Sequence, residues 1–470
     1  MSRDNLIVLS DVHLGSDLVQ FLRPDAPRRG KASLARDREL TALLDWYRER
    51  REGGRPWRLV IAGDFVDFVG MSVDAESDEI QTELSDEERE HGLGSAVDHT
   101  LIKLRRVARE HAEVFQALAR FIAAGNTLVV VRGNHDVDLH WEPVQAAFRR
   151  VLEGHADIRP AQVQFADWFY YEEGRVFIEH GHQYDDFCSY DNVLFPVLPS
   201  DPKRSTRSLS DILLRYVVRP TRGMLESGHD QASAVDYLRF GAQLGVRGML
   251  ALGQRFVYAV VALLALWREH VSDAAAWVRQ EHERKMLLLA EARQLSVVKL
   301  RALASLQRPP ITRSVLRLLA GVMIDRVVMA LLLLAAVVWL LVARWTPALG
   351  MQLAAALALI FPLGWLWRRA RGAIDASDAL RERAERVATL FPAAFIVMGH
   401  THLPEVRSAA AGSTYVNLGA WAEEEMPEGA HSALPATRTH LVVVEVDGKP
   451  TASLLSWDSA RGPERFVSTA

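Results

Sequence analysis

Five short apolar runs in this chain each end abruptly in aspartate, asparagine or histidine, and that pattern restricts the fold more than any other feature. Residues 6–9 lead into Asp11-Val12-His13, and residues 59–62 into Gly63-Asp64-Phe65-Val66-Asp67. Residues 127–131 lead into Gly133-Asn134-His135-Asp136, 176–178 into His180-Gly181-His182, and 394–398 into Gly399-His400-Thr401-His402. Runs this short, bounded by polar residues, read as buried strands rather than helices. Two more strands are expected at 414–416 and 440–446, and a helix at 101–124, where apolar residues recur at three-to-four spacing. Strands alternating with amphipathic helices imply an α/β domain whose reactive residues gather at strand ends.

Each motif offers a chemistry. Asp11 and His13, one residue apart, can converge on one cation. Asp64 can use both carboxylate oxygens to bridge two metals ~3.5–4 Å apart, with Gly63 supplying a sharp turn. Asp67 reads equally as a ligand-orienting group or an ordinary helix-start carboxylate. Asn134 offers a neutral oxygen. His135 is placed to donate a proton or hydrogen bond to a phosphoryl oxygen, and Asp136 to hold its imidazole in one tautomer. His180 reads as a ligand, while substrate contact, ligand support and a structural role all stay open for His182, as they do for Asp185. His400 and His402, one residue apart on extended backbone, point the same way and can serve two adjacent metals. Singly, each motif has an ordinary explanation; the ordered series at successive strand ends does not.

The series resembles the calcineurin-like metallophosphoesterase superfamily over about residues 5–200 and 390–457. The resemblance implies a four-layer sandwich, two mixed β-sheets flanked by helices. It also implies a dimetal centre with one cation on Asp11, His13, Asp64 and His402, and the other on Asp64, Asn134, His180 and His400. The expected catalytic residues are His135 and Asp136. Two cations would lower the pKa of a shared water and stabilise charge on the attacking and leaving oxygens. The mixed donors suit Mn, Fe or Zn and disfavour a pure Mg or Ca site. The strand and turn at 415–421 is also similar to the family's element after its last histidine pair.

Residues 203–385 match nothing in that pattern and read as a helical insertion between domain parts at 1–202 and 386–470. The insertion begins with arginine-rich helices and contains two apolar runs, 327–343 and 345–367, separated only by Arg344. Each is long enough to cross a hydrocarbon core of ~30 Å at ~1.5 Å per residue, the first only just. A buried hairpin in a soluble core is the competing reading, although soluble helices seldom lack a polar face over such a length. Arg313, Arg317 and Arg326 before the runs, and Arg368, Arg369 and Arg371 after them, place both ends on the cytoplasmic side. An even number of crossings is also needed if His400 and His402 are to meet the earlier motifs. The expected location is the inner membrane, with the catalytic domain facing the cytoplasm. Residues 257–267 are apolar but too short to span, and suit a core helix or one lying on the membrane surface.

The remaining features constrain less. The acidic stretch 74–90 reads as a solvated loop or short helix beside the site, a surface excursion in preference to a device that excludes anionic polymers. Cys188 is the single cysteine, so no intramolecular disulfide can form; the residue reads as a small buried apolar group. With 55 Lys+Arg against 59 Asp+Glu, net charge does not select a polyanionic partner. The N-terminal residues run straight into the first strand, with no secretory leader expected.

Ser10-Asp11-Val12-His13-Leu14-Gly15-Ser16 is similar to the opening of the UDP-diacylglucosamine pyrophosphatase group, which cleaves a lipid-linked diphosphate. That group has Arg after its metal-binding Asn, whereas His135 follows Asn134 here, and the membrane hairpin and long insertion also depart from it. The expected substrate is an anionic phosphoester or diphosphate on a lipid or nucleotide-lipid, met beside membrane lipids. A nuclease like the superfamily's double-strand-break repair members is the enzymatic alternative, but the basic charges spread beside membrane segments disfavour nucleic acid. A non-catalytic scaffold would have shed ligands, and all seven candidates are present.

Overall fold

The computed structural model describes residues 3–24, 30–74, 78–221, 234–315, 317–318, 376–422 and 437–467. In β1 (Asn5–Leu9), Leu6 and Val8 face one way and Ile7 and Leu9 the other, and both faces are buried. A strand covered on both sides reads as continuous apolar sequence, which is why this one was legible.

Strands β2 (Trp57–Ala62), β3 (Thr127–Val131) and β4 (Val163–Ala166) follow β1 in parallel succession. On its other side β10 (Thr439–Val446), β11 (Lys449–Asp458) and β12 (Gly462–Arg465) pair antiparallel, making a seven-stranded mixed sheet. The second sheet has the order β5 (Phe169–Glu172), β6 (Val176–Glu179), β7 (Phe395–Met398), β9 (Thr414–Asn417), β8 (Glu405–Ser408). Here β6, β7 and β9 are parallel, with antiparallel strands at both edges. Leu6, Val8, Val60 and Val129 of the first sheet pack against Ile178, Val397 and Val416 of the second. Each such side chain contributes about 1.5–3 kcal/mol by burial, so this seam binds the two ends of the chain into one body.

Helices α1 (Lys31–Glu49), α3 (Val97–Glu110), α4 (Ala112–Ala123) and α5 (Glu142–Glu153) cover the outer face of the first sheet. Helices α8 (Ala274–Arg293), α9 (Val297–Leu306) and α10 (Ala376–Leu390) cover the second through Met286, Leu300, Leu303 and Leu380. The architecture is the α/β arrangement of two mixed sheets and flanking helices. Parts of the segment 203–385 thus belong to the outer layer rather than standing apart from the sandwich.

The single helix expected at 101–124 is broken at His111, where φ is −109° and ψ 34°. Its ring lies 2.6 Å from Asp37 Oδ2 and 3.3 Å from Asp17 Oδ1. Burial opposes a charge on that ring, but the hydrogen bonds to Asp17 and Asp37 outweigh it and raise the pKa above the usual histidine value. Arg36 joins the same cluster and donates from Nη1 to the His13 carbonyl at 3.0 Å, tying α1 to the first motif.

The acidic stretch is more than a surface excursion. In α2 (Asp86–His91), capped reciprocally by Ser85 and Glu88, Glu87 pairs with Arg215 and the buried Glu88 pairs with Arg204 at 2.8 Å. These pairs anchor α6 (Leu209–Leu213) and the π-turn that continues it to Val218.

Residues 257–267 lie inside α7 (Ala234–Val271), which kinks at Gly245 (φ 64°, ψ 176°), so the helical stretch that holds them runs well beyond the apolar core on its N-terminal side. Its stretch Leu244–Val271 is long and apolar enough to cross a membrane, by length and composition only. Ala259, Leu263 and Leu266 pack against Leu209, Ile212 and Ile311, whereas Leu250, Val257 and Val261 are exposed. Arg255 donates to Thr221 at 2.9 Å, and His270 sits 2.9 Å from Asp191, so the helix is fastened along the domain at two points. The runs 327–343 and 345–367 lie outside the described residues.

Candidate metal centre

The parallel strands deliver their C-terminal ends to one place. After β1 come Asp11 and His13, after β2 Asp64, after β3 Asn134 and His135, after β6 His180, and after β7 His400 and His402. Asp11, His13, Asp64, His400 and His402 all hold positive φ, between 49° and 71°, half of the ten described non-glycine residues that do. A left-handed backbone costs such residues of the order of 1–3 kcal/mol and persists where the surroundings impose it.

The side chains fall into two groups sharing Asp11. Asp11, His13 and His402 present ligand atoms within 4.8 Å of one another, as do Asp11, Asp64 and His180. His402 Nε2 is 3.2 Å from Asp11 Oδ1, joining residues from opposite ends of the chain. Asp64, a member of the second group, also reaches toward the first: Oδ2 is 3.1 Å from His180 Nε2 and 3.8 Å from His13 Nε2, and Oδ1 accepts the His135 backbone N–H at 2.8 Å. Asn134 Oδ1 is 3.2 Å from His180 Nε2. His180 Nδ1–H donates to the Ala62 carbonyl at 2.9 Å, which aims Nε2 at the cluster.

His400 takes a different position. Its Nε2 is 3.1 Å from Asp185 Oδ2, in a separate group with Cys188, and its ring centroid is 5.3 Å from that of His180. Asp185, left open by the sequence, is therefore a partner of a candidate ligand. Cys188 is buried as expected, and burial, with Asp185 beside it, pushes its thiol pKa well up. His182 packs at a tilt against Tyr190, with ring centroids 5.1 Å apart, and contacts Gln183 at 2.9 Å, beside the His180 ring.

The geometry corrects one expectation. Asp136 does not steady His135: its oxygens accept the backbone N–H groups of Gly133 at 2.6 Å and Phe65 at 2.9 Å, bracing two motif turns. Burial and the nearby Asp64 charge raise its pKa to about 7. The carboxylate that meets His135 Nδ1, at 2.8 Å, is Asp67.

Electrostatics fit a cation site. Burial would raise the Asp11 pKa, but His180 and His402 bring it to about 2. Burial, reinforced by the His135 charge, pushes His13 down to about 3 and keeps its ring neutral, as a ligand must be. Burial also disfavours charge on His180, yet Asp64 and Asp11 push that pKa up to about 9; a bound metal would take the place of the proton. His13 Nε2 is buried with no hydrogen-bond partner among the described residues, a costly arrangement that a cation would relieve.

Residues 5–222 match the family model described as calcineurin-like phosphoesterase. That family is dimetal-dependent and typically hydrolyses phosphoesters, and the clustered His and Asp side chains could hold such metals. The match to the phosphoesterase domain stops short of His400 and His402, which the second sheet nevertheless brings to the same place. Comparison with curated proteins finds no match.

Gly63 packs directly against a candidate ligand. Its φ is +90°, and a Cβ there would stand 2.5 Å from the His180 ring. Gly63→Ala should displace that ring and weaken metal binding by at least tenfold to a hundredfold, the usual consequence of disturbing a ligand's support. Metal titration followed by calorimetry checks this; unchanged affinity would remove His180 from the centre.

Proposed function

We propose that this protein is a metal-dependent hydrolase of phosphoester or diphosphate bonds, acting on an anionic substrate held at a membrane. Asp64 carries the reading, because this one buried carboxylate lies 3.8 Å from His13 Nε2 and 3.1 Å from His180 Nε2, linking the Asp11–His13–His402 group to His180 and the Asn134 beside it. Those six residues, with His400 beside Asp185, would hold two divalent cations, whose chemistry when bound is to activate water and neutralise phosphoryl charge. His135, steadied by Asp67, would donate to the leaving oxygen. Mn, Fe or Zn suits the donor set.

The membrane side of the proposal rests on α7. Its exposed face carries Met249, Leu250, Val257 and Val261, while its opposite face packs on the phosphoesterase domain. Fastened there at two points, the helix is suited to lie against lipid beside the site, and the runs 327–343 and 345–367 would complete the anchorage at the inner membrane with the site facing the cytoplasm. A lipid-linked diphosphate, as in the UDP-diacylglucosamine pyrophosphatase group, is the preferred substrate class.

The test is phosphate or phosphomonoester release from a panel of lipid-linked diphosphates, soluble phosphoesters and DNA, with and without liposomes and chelator. The expected result is chelator-sensitive hydrolysis, fastest on a lipid-linked ester in liposomes. Hydrolysis of DNA, with binding lost at raised salt, would replace this reading with the nuclease one. Chelator-resistant or absent hydrolysis throughout would end the hydrolase reading.

A further inference from the structure

Asp67 holds His135 with one oxygen and is itself held by the other. Arg219 donates from Nη2 to Asp67 Oδ2 at 3.0 Å and from Nη1 to the Ser16 carbonyl at 2.9 Å. The Gly70 backbone N–H donates to Asp67 Oδ1 at 2.6 Å. Asp67 is fully buried, and the Arg219 side chain is 13% exposed. Gly70 has no side chain at the point of contact; a Cβ there would lie 2.5 Å from Arg219 Nη2 and closer still to Asp67 Oδ2.

Arg219 reaches this position through a local irregularity. It caps the π-turn Leu214–Val218, the continuation of α6. A π-turn winds more loosely than an α-helix and shifts the register of the residues after it, and such turns are frequent at functional sites. Leu214 and Val218 pack on Val69, two residues beyond Asp67, and Arg215 clamps the same turn to Glu87 and to the Gly92 and Leu93 carbonyls. The guanidinium thus arrives from a segment 152 residues away in sequence, on a turn fixed from both sides.

We propose that Arg219 is a positioning residue for catalysis, which locks the Asp67 carboxylate so that Asp67 in turn fixes the orientation and tautomer of His135. This role rests on the one proposed for His135 as donor to the leaving oxygen. Neither oxygen of Asp67 is then at liberty to rotate: Arg219 engages Oδ2, and Oδ1 faces His135 Nδ1, so Nε2 is the atom that takes up a proton and then passes it to the leaving oxygen. A lysine at 219 could reach one acceptor but not span Asp67 and Ser16 with a planar fork.

The test compares Arg219→Gln, Arg219→Lys, Asp67→Asn and the double variant Arg219→Gln/Asp67→Asn. It uses p-nitrophenyl phosphate, bis(p-nitrophenyl) phosphate and the ester hydrolysed fastest in the substrate panel. Arg219→Gln should lower kcat about tenfold to a hundredfold, with KM and metal content unchanged. Arg219→Lys should recover part of that loss. In the Asp67→Asn background the same Arg219→Gln change should have little further effect, since two residues acting through one path are not additive. Equal losses in both backgrounds, or a loss confined to KM, would overturn the proposal.

A crystal structure of Arg219→Gln supplies a readout independent of turnover: the Asp67–His135 hydrogen bond should lengthen or break, and an unchanged pair would also overturn the proposal. Should Arg219→Gln fail to fold, the same two readouts apply to Arg219→Lys, for which retention of full kcat and an unaltered pair is the overturning result. If the unaltered protein hydrolyses no probe, the hydrolase reading fails, while the crystallographic comparison still decides whether Arg219 fixes the pair.

Discussion

Asp64→Asn should abolish binding of at least one metal ion and lower kcat by about a thousandfold or more, beyond the ~10²–10³ that removal of a single oxyanion donor costs. The substitution keeps the shape and removes the charge. Asp64 is 1% exposed and touches His180, His13 and the His135 backbone at once, so the lost charge faces both cation positions. Burial alone would raise its pKa, but His180 and His135 hold the carboxyl well below the usual range, so it is anionic at neutral pH. An amide in its place could accept through one atom only and would turn a donor toward an imidazole or a cation. Metal content by mass spectrometry and steady-state kinetics on the same sample check the prediction. Full occupancy with near-normal kcat would show that Asp64 is not shared between ions.

His135→Ala should behave differently, retaining metal while kcat falls by about 10²–10⁴, the range for loss of a positioned acid or base. His135 is not among the proposed ligands. Its ring is engaged by Asp67 at Nδ1 and stands edge-on to His13, with centroids 4.6 Å apart. Removing it should therefore spare the carboxylates of Asp11 and Asp64. The backbone N–H that Asp64 accepts survives in alanine, so the third motif keeps its turn. An ester with a good leaving group needs less protonation, and p-nitrophenyl phosphate should recover part of the lost rate. Parallel loss of metal and rate would place His135 among the ligands instead.

Legibility in the sequence followed burial. Strands β1, β2, β3, β6, β7, β9 and β10 correspond to the expected runs because their cores are apolar on both faces. Strands β8 and β11 escaped notice: Glu405–Ser408 is a largely solvated edge, and Lys449–Asp458 contains Pro450 and buries only Leu454 and Trp457. Strands β4, β5 and β12, of four residues each, were not singled out either.

The candidate ligands were readable because strand ends fix where the chain must converge. Their neighbours were not. Adjacency favoured Asp136 as the partner of His135, but the turn after Asn134 folds that carboxylate back onto Gly133 and Phe65. Asp67 serves instead, and Arg219 behind it and Asp185 opposite His400 pair across 152 and 215 residues, distances over which sequence pattern carries no signal. The break at His111 was hidden for the same reason, since Asp37 and Asp17 reach it from another part of the chain.

The position of β7 has a consequence for anyone wishing to isolate the region that resembles other enzymes. Excised at residue 222, the polypeptide would keep β1 to β6 but lose the middle of its second sheet, because β7 and β9 are supplied from beyond Leu390. The inward side of β6, Val176 and Ile178, would then meet water instead of Val397 and Val416, with an unpaired strand edge beside it. The stretch that carries the family likeness is thus a fragment, and the self-sufficient unit includes the far end of the chain.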